Sequence, residues 1–245
     1  MMQLRQIKDI MPFLSQNIIF FHIDKSSFPW INNLKDNIDT MIKTYIKFLE
    51  PYERESSKKI KKKGLTITVS GKSGSGKSLG AMAIAKALKL KYVSAGQILR
   101  NISKEKGINL VKMSEIRGPE VDHETDKQTL RLAMEGNVVL DGRLTGWTAG
   151  GWADVKVYYV CSMKVKAERV AERDNTSVEE AEEMITKRDK EDHKKYHELY
   201  GINSYDESIY DIIINNEKLT KKEAELVPVK LVKEFLKKKH IHSSS

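Results

Sequence analysis

The sequence is short of cysteine: Cys161 is the only one in 245 residues, so no disulfide can form within the chain. A single thiol inside an apolar run is typical of proteins kept in a reducing compartment. Long apolar runs are missing as well. No stretch approaches the roughly 20 residues that span a bilayer, and the early run at 18–21 is too short for the core of a signal peptide. We therefore expect a cytoplasmic protein without membrane segments.

Acidic residues are too few to balance the basic ones, and the formal net charge is +9. Lysines cluster at 58–63 and at 237–239. Such a surplus favours polyanions in general, whether nucleotides, nucleic acid or anionic membranes. We interpret both clusters first as solvated tethers or helix ends. Nucleic-acid binding through the basic amino-terminal segment stays open as the less favoured alternative.

The pattern of apolar residues divides the chain into two regions, 1–64 and 65–240. The first region carries apolar residues at helical spacing, which predicts a small helical extension, and Pro51 with the polar residues after it indicates a linker. The second region alternates apolar runs with helical segments. This alternation predicts a parallel sheet covered by helices on both faces, a doubly wound α/β fold. About five strands are expected, at 65–70, 91–93, 137–141, 155–161 and 209–215.

A glycine-rich segment directly after the first predicted strand matches the pattern G-x-x-x-x-G-K-[ST], the phosphate-binding loop or P-loop. Glycines let the backbone wrap a triphosphate with its N–H groups facing inward, and the helix that follows offers its positive end. In this pattern Lys77 reaches the β- and γ-phosphates and the Ser78 hydroxyl binds Mg²⁺. The segment predicts a P-loop NTPase-type domain. The predicted ATP-binding residues are Gly71, Lys72, Ser73, Gly74, Ser75, Gly76, Lys77 and Ser78.

Two further segments follow predicted strands, where ligands bind in open α/β sheets. Asp141 closes the third strand and is the candidate to hold the water shell of Mg²⁺ together with Ser78; a turn or helix-capping aspartate is the alternative. Arg143 lies just beyond it, and Arg100 follows the second strand. Each guanidinium could clamp a second phosphate through its planar fork. The alternative is that each arginine is a surface ion-pair partner.

Several more stretches stand in a definite order along the chain after the P-loop. They are Ser94-Ala95-Gly96 with Arg100, 136–144 with Gly146-Trp147, 169–173, 177–181, and 200–202 leading to 208–211. With these stretches and the P-loop, residues 65 to about 237 resemble the nucleoside monophosphate kinases, and most closely the archaeal-type cytidylate kinases. The resemblance implies a mobile helical lid and transfer of phosphate from ATP to CMP or dCMP. It implies that Arg100 and Arg143 bind the acceptor phosphate, and that Arg188 and Asp192 in the lid meet ribose or the transferring phosphate.

The sequence departs from this family pattern in the acceptor half. Gln97 stands where the pattern carries Asp, Lys195 replaces a lid arginine, and 127–129 replaces Arg-Arg-Gln. A lysine exchanges the bidentate fork of arginine for a point charge. The expected catalytic residues are Lys77, Arg143 and Arg188, and the expected substrate-binding residues are Ser94, Gly96, Arg100, Asp141, Arg143, Asp192 and Lys195.

Three functional hypotheses follow. The first is an ATP- and Mg²⁺-dependent kinase for CMP or dCMP that works by positioning and charge stabilisation, without a covalent intermediate. The second is a nucleotide-binding module with a degraded acceptor site, whose basic amino-terminal region binds RNA or a protein partner. The third is a kinase of the same fold for another acceptor such as AMP, because fold does not determine the acceptor.

Overall fold

A mostly parallel sheet forms the centre of the computed structural model, which describes residues 18–19, 49–106 and 119–243. The strand order is β1-β6-β5-β2-β4-β3, and only β1 runs antiparallel to its neighbour. The five parallel strands match the five expected from the sequence. The strands are β1 Ile18–Ile19, β2 Thr66–Gly71, β3 Lys91–Ser94, β4 Val138–Asp141, β5 Val155–Val160 and β6 Ile212–Asn215.

Helices cover both faces of the sheet, as the alternating pattern predicts. One apolar cluster joins β2, β5 and β6 to the first and last long helices, and another packs on the opposite face around Met134, Trp147 and Tyr200. This confirms the doubly wound α/β fold. The helices are α1 Lys77–Leu88, α2 Ala95–Glu105, α3 Pro119–Glu135, α4 Thr145–Thr148, α5 Met163–Asp174, α6 Val178–Tyr200 and α7 Lys221–Ser243, with a 3-10 turn at Gly150–Trp152.

The register of the strands places the predicted site segments side by side at the carboxyl ends of the parallel strands. Every residue of β2 and β4 is buried, as in parallel strands covered on both faces. Val69 of β2 and Ser94 of β3 both lie opposite Asp141 of β4. Because the carboxyl ends of these three strands coincide, the P-loop, Ser94 and Asp141 emerge side by side.

The segment before β2 packs on the domain rather than acting as a linker. Residues 49–57 are helical, Leu49 is 2% exposed, and Trp152 donates a hydrogen bond from Nε1 to Glu53 Oε1 at 2.6 Å. The linker interpretation around Pro51 is therefore wrong for these residues, because apolar side chains at Leu49 and Tyr52 join the core. Residues 18–19 form a strand, and the helices predicted elsewhere before residue 49 lie outside the described residues.

Among the described helices, none combines the length and the apolar content that a membrane crossing requires.

Candidate active site

The P-loop connects β2 to α1 through a tight, glycine-dependent turn. Gly74 and Gly76 have φ of 77° and 82°, the left-handed region that glycine adopts at little cost. A Cβ on Gly74 would lie 2.7 Å from the carbonyl oxygen of Lys166, so the loop is also closely packed from behind. The first turn of α1 contains no acidic residue, which leaves its positive end free to attract an anion.

Lys77 is a buried lysine that interacts with several charged side chains at the carboxyl ends of these strands. Burial is the main cause that lowers the pKa of its ammonium; Asp141 acts in the opposite direction, whereas Arg143, Arg188 and Arg173 lower it further. The structure thus brings three of the sequence-predicted site residues within electrostatic range of Lys77. A buried ammonium surrounded mainly by cations indicates a site arranged for a highly charged anion.

Asp141 is the acidic group of the site and is only 2% exposed. Its Oδ2 accepts a hydrogen bond of 2.8 Å from the Tyr92 hydroxyl, while its buried Oδ1 has no hydrogen-bond partner among the described residues. Asp141 does not cap α4, whose N-cap residue is Leu144. A buried carboxylate oxygen without a hydrogen-bond partner, within electrostatic range of the P-loop lysine, fits the oxygen ligands or water contacts that Mg²⁺ prefers. Asp141 could therefore hold Mg²⁺ together with the P-loop residue Ser78.

Tyr92 was not among the residues singled out from the sequence. Burial, followed by the charge of Asp141 and the hydrogen bond to it, raises the pKa of its hydroxyl. Alternate residues of a strand share a face, so Tyr92 and Ser94 project to the same side of β3. The alternation of β3 could therefore have indicated that Tyr92 lies on the same side as Ser94. It identifies Tyr92 as a neighbour of Asp141 only when β3 is known to lie beside β4.

Arg143 connects the P-loop to the helix predicted as part of the lid, α6. Its Nη2 donates to Ser73 Oγ at 2.8 Å, and its Nη1 pairs with Asp192 Oδ2. Both side chains of the ion pair are mostly buried, at 19% and 15% exposure. Arg143 can therefore contact a phosphate held between the P-loop and α6.

Further ion pairs hold α6 against the core. Asp189 lies 4.0 Å from Lys72 Nζ and 3.7 Å from Lys166 Nζ. Lys195, the residue in place of the expected lid arginine, pairs with Asp122 of α3. Burial is the main cause that lowers the pKa of Lys72. The acidic side chains of α6 thus lie against cations beside the P-loop. A bound polyphosphate would compete with these carboxylates for the same cations.

The remaining predicted acceptor residues lie at the end of β3 and in α2. Ser94 lies opposite Asp141, and Gly96 is in the first turn of α2. Arg100 is exposed and donates to Gln97 Oε1 at 2.9 Å. Arg100 thus belongs to the helix that follows β3 and Arg143 to the segment that follows β4, two strands that pair with each other.

Arg169 of α5 is a second residue whose structural role near the P-loop its sequence context does not reveal. It donates to the side-chain and backbone oxygens of Asn216 at 3.0 Å and 2.9 Å. Asn216 is buried, and its side-chain amide contacts the position where Gly76 would carry a Cβ. The two residues therefore support the P-loop from the β6 side, a contact that spans 47 residues of chain and has no local signal.

Comparisons with known proteins agree with this geometry. A sequence model described as the cytidylate kinase-like family matches residues 66–218. The chain is 46% identical over 157 residues to a cytidylate kinase of Pyrococcus horikoshii, covering 63% of this chain and 81% of the relative. It is 38% identical over 175 residues to a cytidylate kinase of Staphylothermus marinus, covering 71% of this chain and 99% of the relative. A crystal structure of a shikimate kinase from Bacteroides thetaiotaomicron shares the fold, with a TM-score of 0.50 and 15% identity over 71% of this chain and 98% of that one.

Proposed function

Because the chain belongs to the cytidylate kinase-like family, we propose that it transfers the γ-phosphoryl group of ATP to CMP or dCMP in the presence of Mg²⁺. Family membership makes the chain a nucleoside monophosphate kinase. The donor, the cation and the pyrimidine acceptor are the proposed part. The observation that carries the proposal is the meeting of Lys77, Asp141 and Arg143 at one edge of the sheet.

In the proposed reaction, the protein supplies charge and position rather than a nucleophile. Lys77 neutralises the β- and γ-phosphates, and Arg143 draws the acceptor phosphate toward the P-loop serine that it already contacts. Ser78 and Asp141 would hold Mg²⁺, which when bound neutralises charge on the same phosphates. An acceptor oxygen of CMP then attacks the γ-phosphorus in line, and ADP leaves.

The lid helix α6 supports this reaction by covering the bound nucleotides. Without phosphate, Asp189 and Asp192 hold α6 against Lys72, Lys166 and Arg143. We expect the lid to open when nucleotides enter, to close again with these cations paired to phosphate, and to open for product release.

A coupled assay of ADP formation tests the proposal. The protein is supplied with ATP, Mg²⁺ and one of CMP, dCMP, UMP or AMP; we expect turnover above background with CMP or dCMP and at least about tenfold lower kcat/KM with AMP. Lys77→Ala should remove turnover, whereas Lys86→Ala, which alters an exposed lysine of the same helix, should retain it. A preference for AMP would refute the pyrimidine acceptor, and ADP formation that ignores every acceptor would refute the transfer reaction.

One observation favours a second function beside catalysis, namely polyanion binding. The two lysine clusters meet at Asp154, where Lys62 Nζ lies 2.7 Å from Oδ2 and Lys239 Nζ donates to the backbone oxygen at 2.8 Å. They lie at the amino ends of the strands, opposite the P-loop. If RNA binds there, its affinity should fall steeply with salt and weaken in Lys61→Gln/Lys238→Gln. Binding that these changes leave unaltered would assign RNA to another surface.

A further inference from the structure

The hydroxyl of Tyr92 contacts one of the two side chains expected to hold Mg²⁺. It donates to Asp141 Oδ2 at 2.8 Å. The ring packs against the apolar cluster beneath α1, so the hydroxyl is carried on a well-supported side chain. Tyr92 thereby joins β3 to β4 through a side-chain hydrogen bond.

The orientation of the Asp141 carboxylate follows from this contact. A carboxylate can rotate about its terminal torsion unless a partner holds one oxygen. Tyr92 holds Oδ2, and the buried Oδ1 is left without a hydrogen-bond partner among the described residues.

We propose that Tyr92 is a positioning residue for the magnesium site, whose hydroxyl holds Asp141 Oδ2 so that Oδ1 stays directed at the cation or its water shell. The inference rests on the proposed ATP- and Mg²⁺-dependent function. Groups that hydrogen-bond to metal ligands set ligand orientation, and their removal typically lowers metal affinity about 10- to 100-fold. A purely structural tyrosine, which only joins β3 to β4, would leave metal affinity unchanged.

Tyr92→Phe tests the inference because it removes only the hydroxyl. Tyr159→Phe is the matched control: this buried tyrosine packs in the same apolar cluster, and its hydroxyl has no hydrogen-bond partner among the described residues. Mn²⁺ is titrated into each protein with a non-hydrolysable ATP analogue, and free Mn²⁺ is followed by its EPR signal. We expect the Mn²⁺ Kd to rise about tenfold or more in Tyr92→Phe and to stay within about twofold in the control.

Kinetics and a rescue variant separate positioning from general loss of structure. Tyr92→Phe should raise the apparent KM for Mg²⁺ more than it lowers kcat at saturating Mg²⁺. Placing 4-aminophenylalanine at position 92 restores a donor and should recover most of the Mn²⁺ affinity. A Mn²⁺ Kd within about twofold of the wild-type value in Tyr92→Phe would overturn the inference, as would the absence of rescue. Since the Mn²⁺ titration needs no acceptor, a protein that fails to phosphorylate CMP still decides the role of Tyr92.

Discussion

Replacing Lys77 by methionine should stabilise the ligand-free protein while removing its activity. The structural reason is the cost of keeping an ammonium buried at the P-loop, where burial is the main cause that lowers its pKa. The attraction of Asp141 opposes that cost, and the repulsion of Arg143, Arg173 and Arg188 adds to it. Methionine keeps an unbranched side chain of similar length without the charge.

The size of the effect follows from these opposing contributions. Asp192 pairs with Arg143 and Asp174 with Arg173, so part of the repulsion on Lys77 is neutralised and desolvation remains the dominant cost. Relief of functional strain of this kind is commonly worth about 1 kcal/mol. For a chain of this size, that gain raises Tm by about 2–4 °C.

Thermal unfolding of the ligand-free proteins measures this gain. Because the lowered pKa penalises the charged lysine, the advantage of Lys77→Met should be largest at neutral pH and should shrink as alkaline pH deprotonates Lys77 in the wild type. Mg²⁺ and ATP should raise the Tm of the wild type but not of the variant. Lys86→Met, at an exposed position of α1, is the control and should change stability by less than about 0.5 kcal/mol. A lower Tm in Lys77→Met without ligand would refute the reasoning.

Two further substitutions probe the loop and the lid. Gly74→Ala should weaken ATP binding about tenfold or more in calorimetry without unfolding the protein. Alanine is strained at a φ of 77°, and its Cβ would lie 2.7 Å from the Lys166 carbonyl oxygen, so the loop must shift to accept it. Unchanged affinity would show that the loop tolerates a side chain. Asp189→Asn leaves Lys166, whose side chain is 7% exposed, without its counter-charge, and should cost about 3 kcal/mol and lower Tm by about 10 °C. Glu191→Gln, in an exposed pair with Lys187, should change Tm little, and equal losses in both variants would contradict the packing argument.

The strands could be predicted because apolar runs are a local signal, and the amino-terminal cap of α6 has a local signal of the same kind. Ser177 accepts a hydrogen bond from the Glu180 backbone and Glu180 accepts one from the Ser177 backbone, the reciprocal pair expected from residue types three apart. Arg169 and Arg173 lie four residues apart on α5, each directly after a glutamate. In the structure Arg173 pairs with Asp174 and Arg169 donates to Asn216, partners that the spacing does not identify.

By itself, the sequence determined the P-loop, the five parallel strands and the helices between them, since glycine geometry, apolar periodicity and capping act within a few residues. Tertiary structure decided the surroundings of the P-loop. Tyr92 meets Asp141 across 49 residues of chain, and Asp189 of α6 lies 4.0 Å from Lys72 Nζ. It also decided that the residues before β2 join the core. Such contacts depend on strand order and on how α6 packs, and side chains brought together in this way leave no shared pattern along the chain.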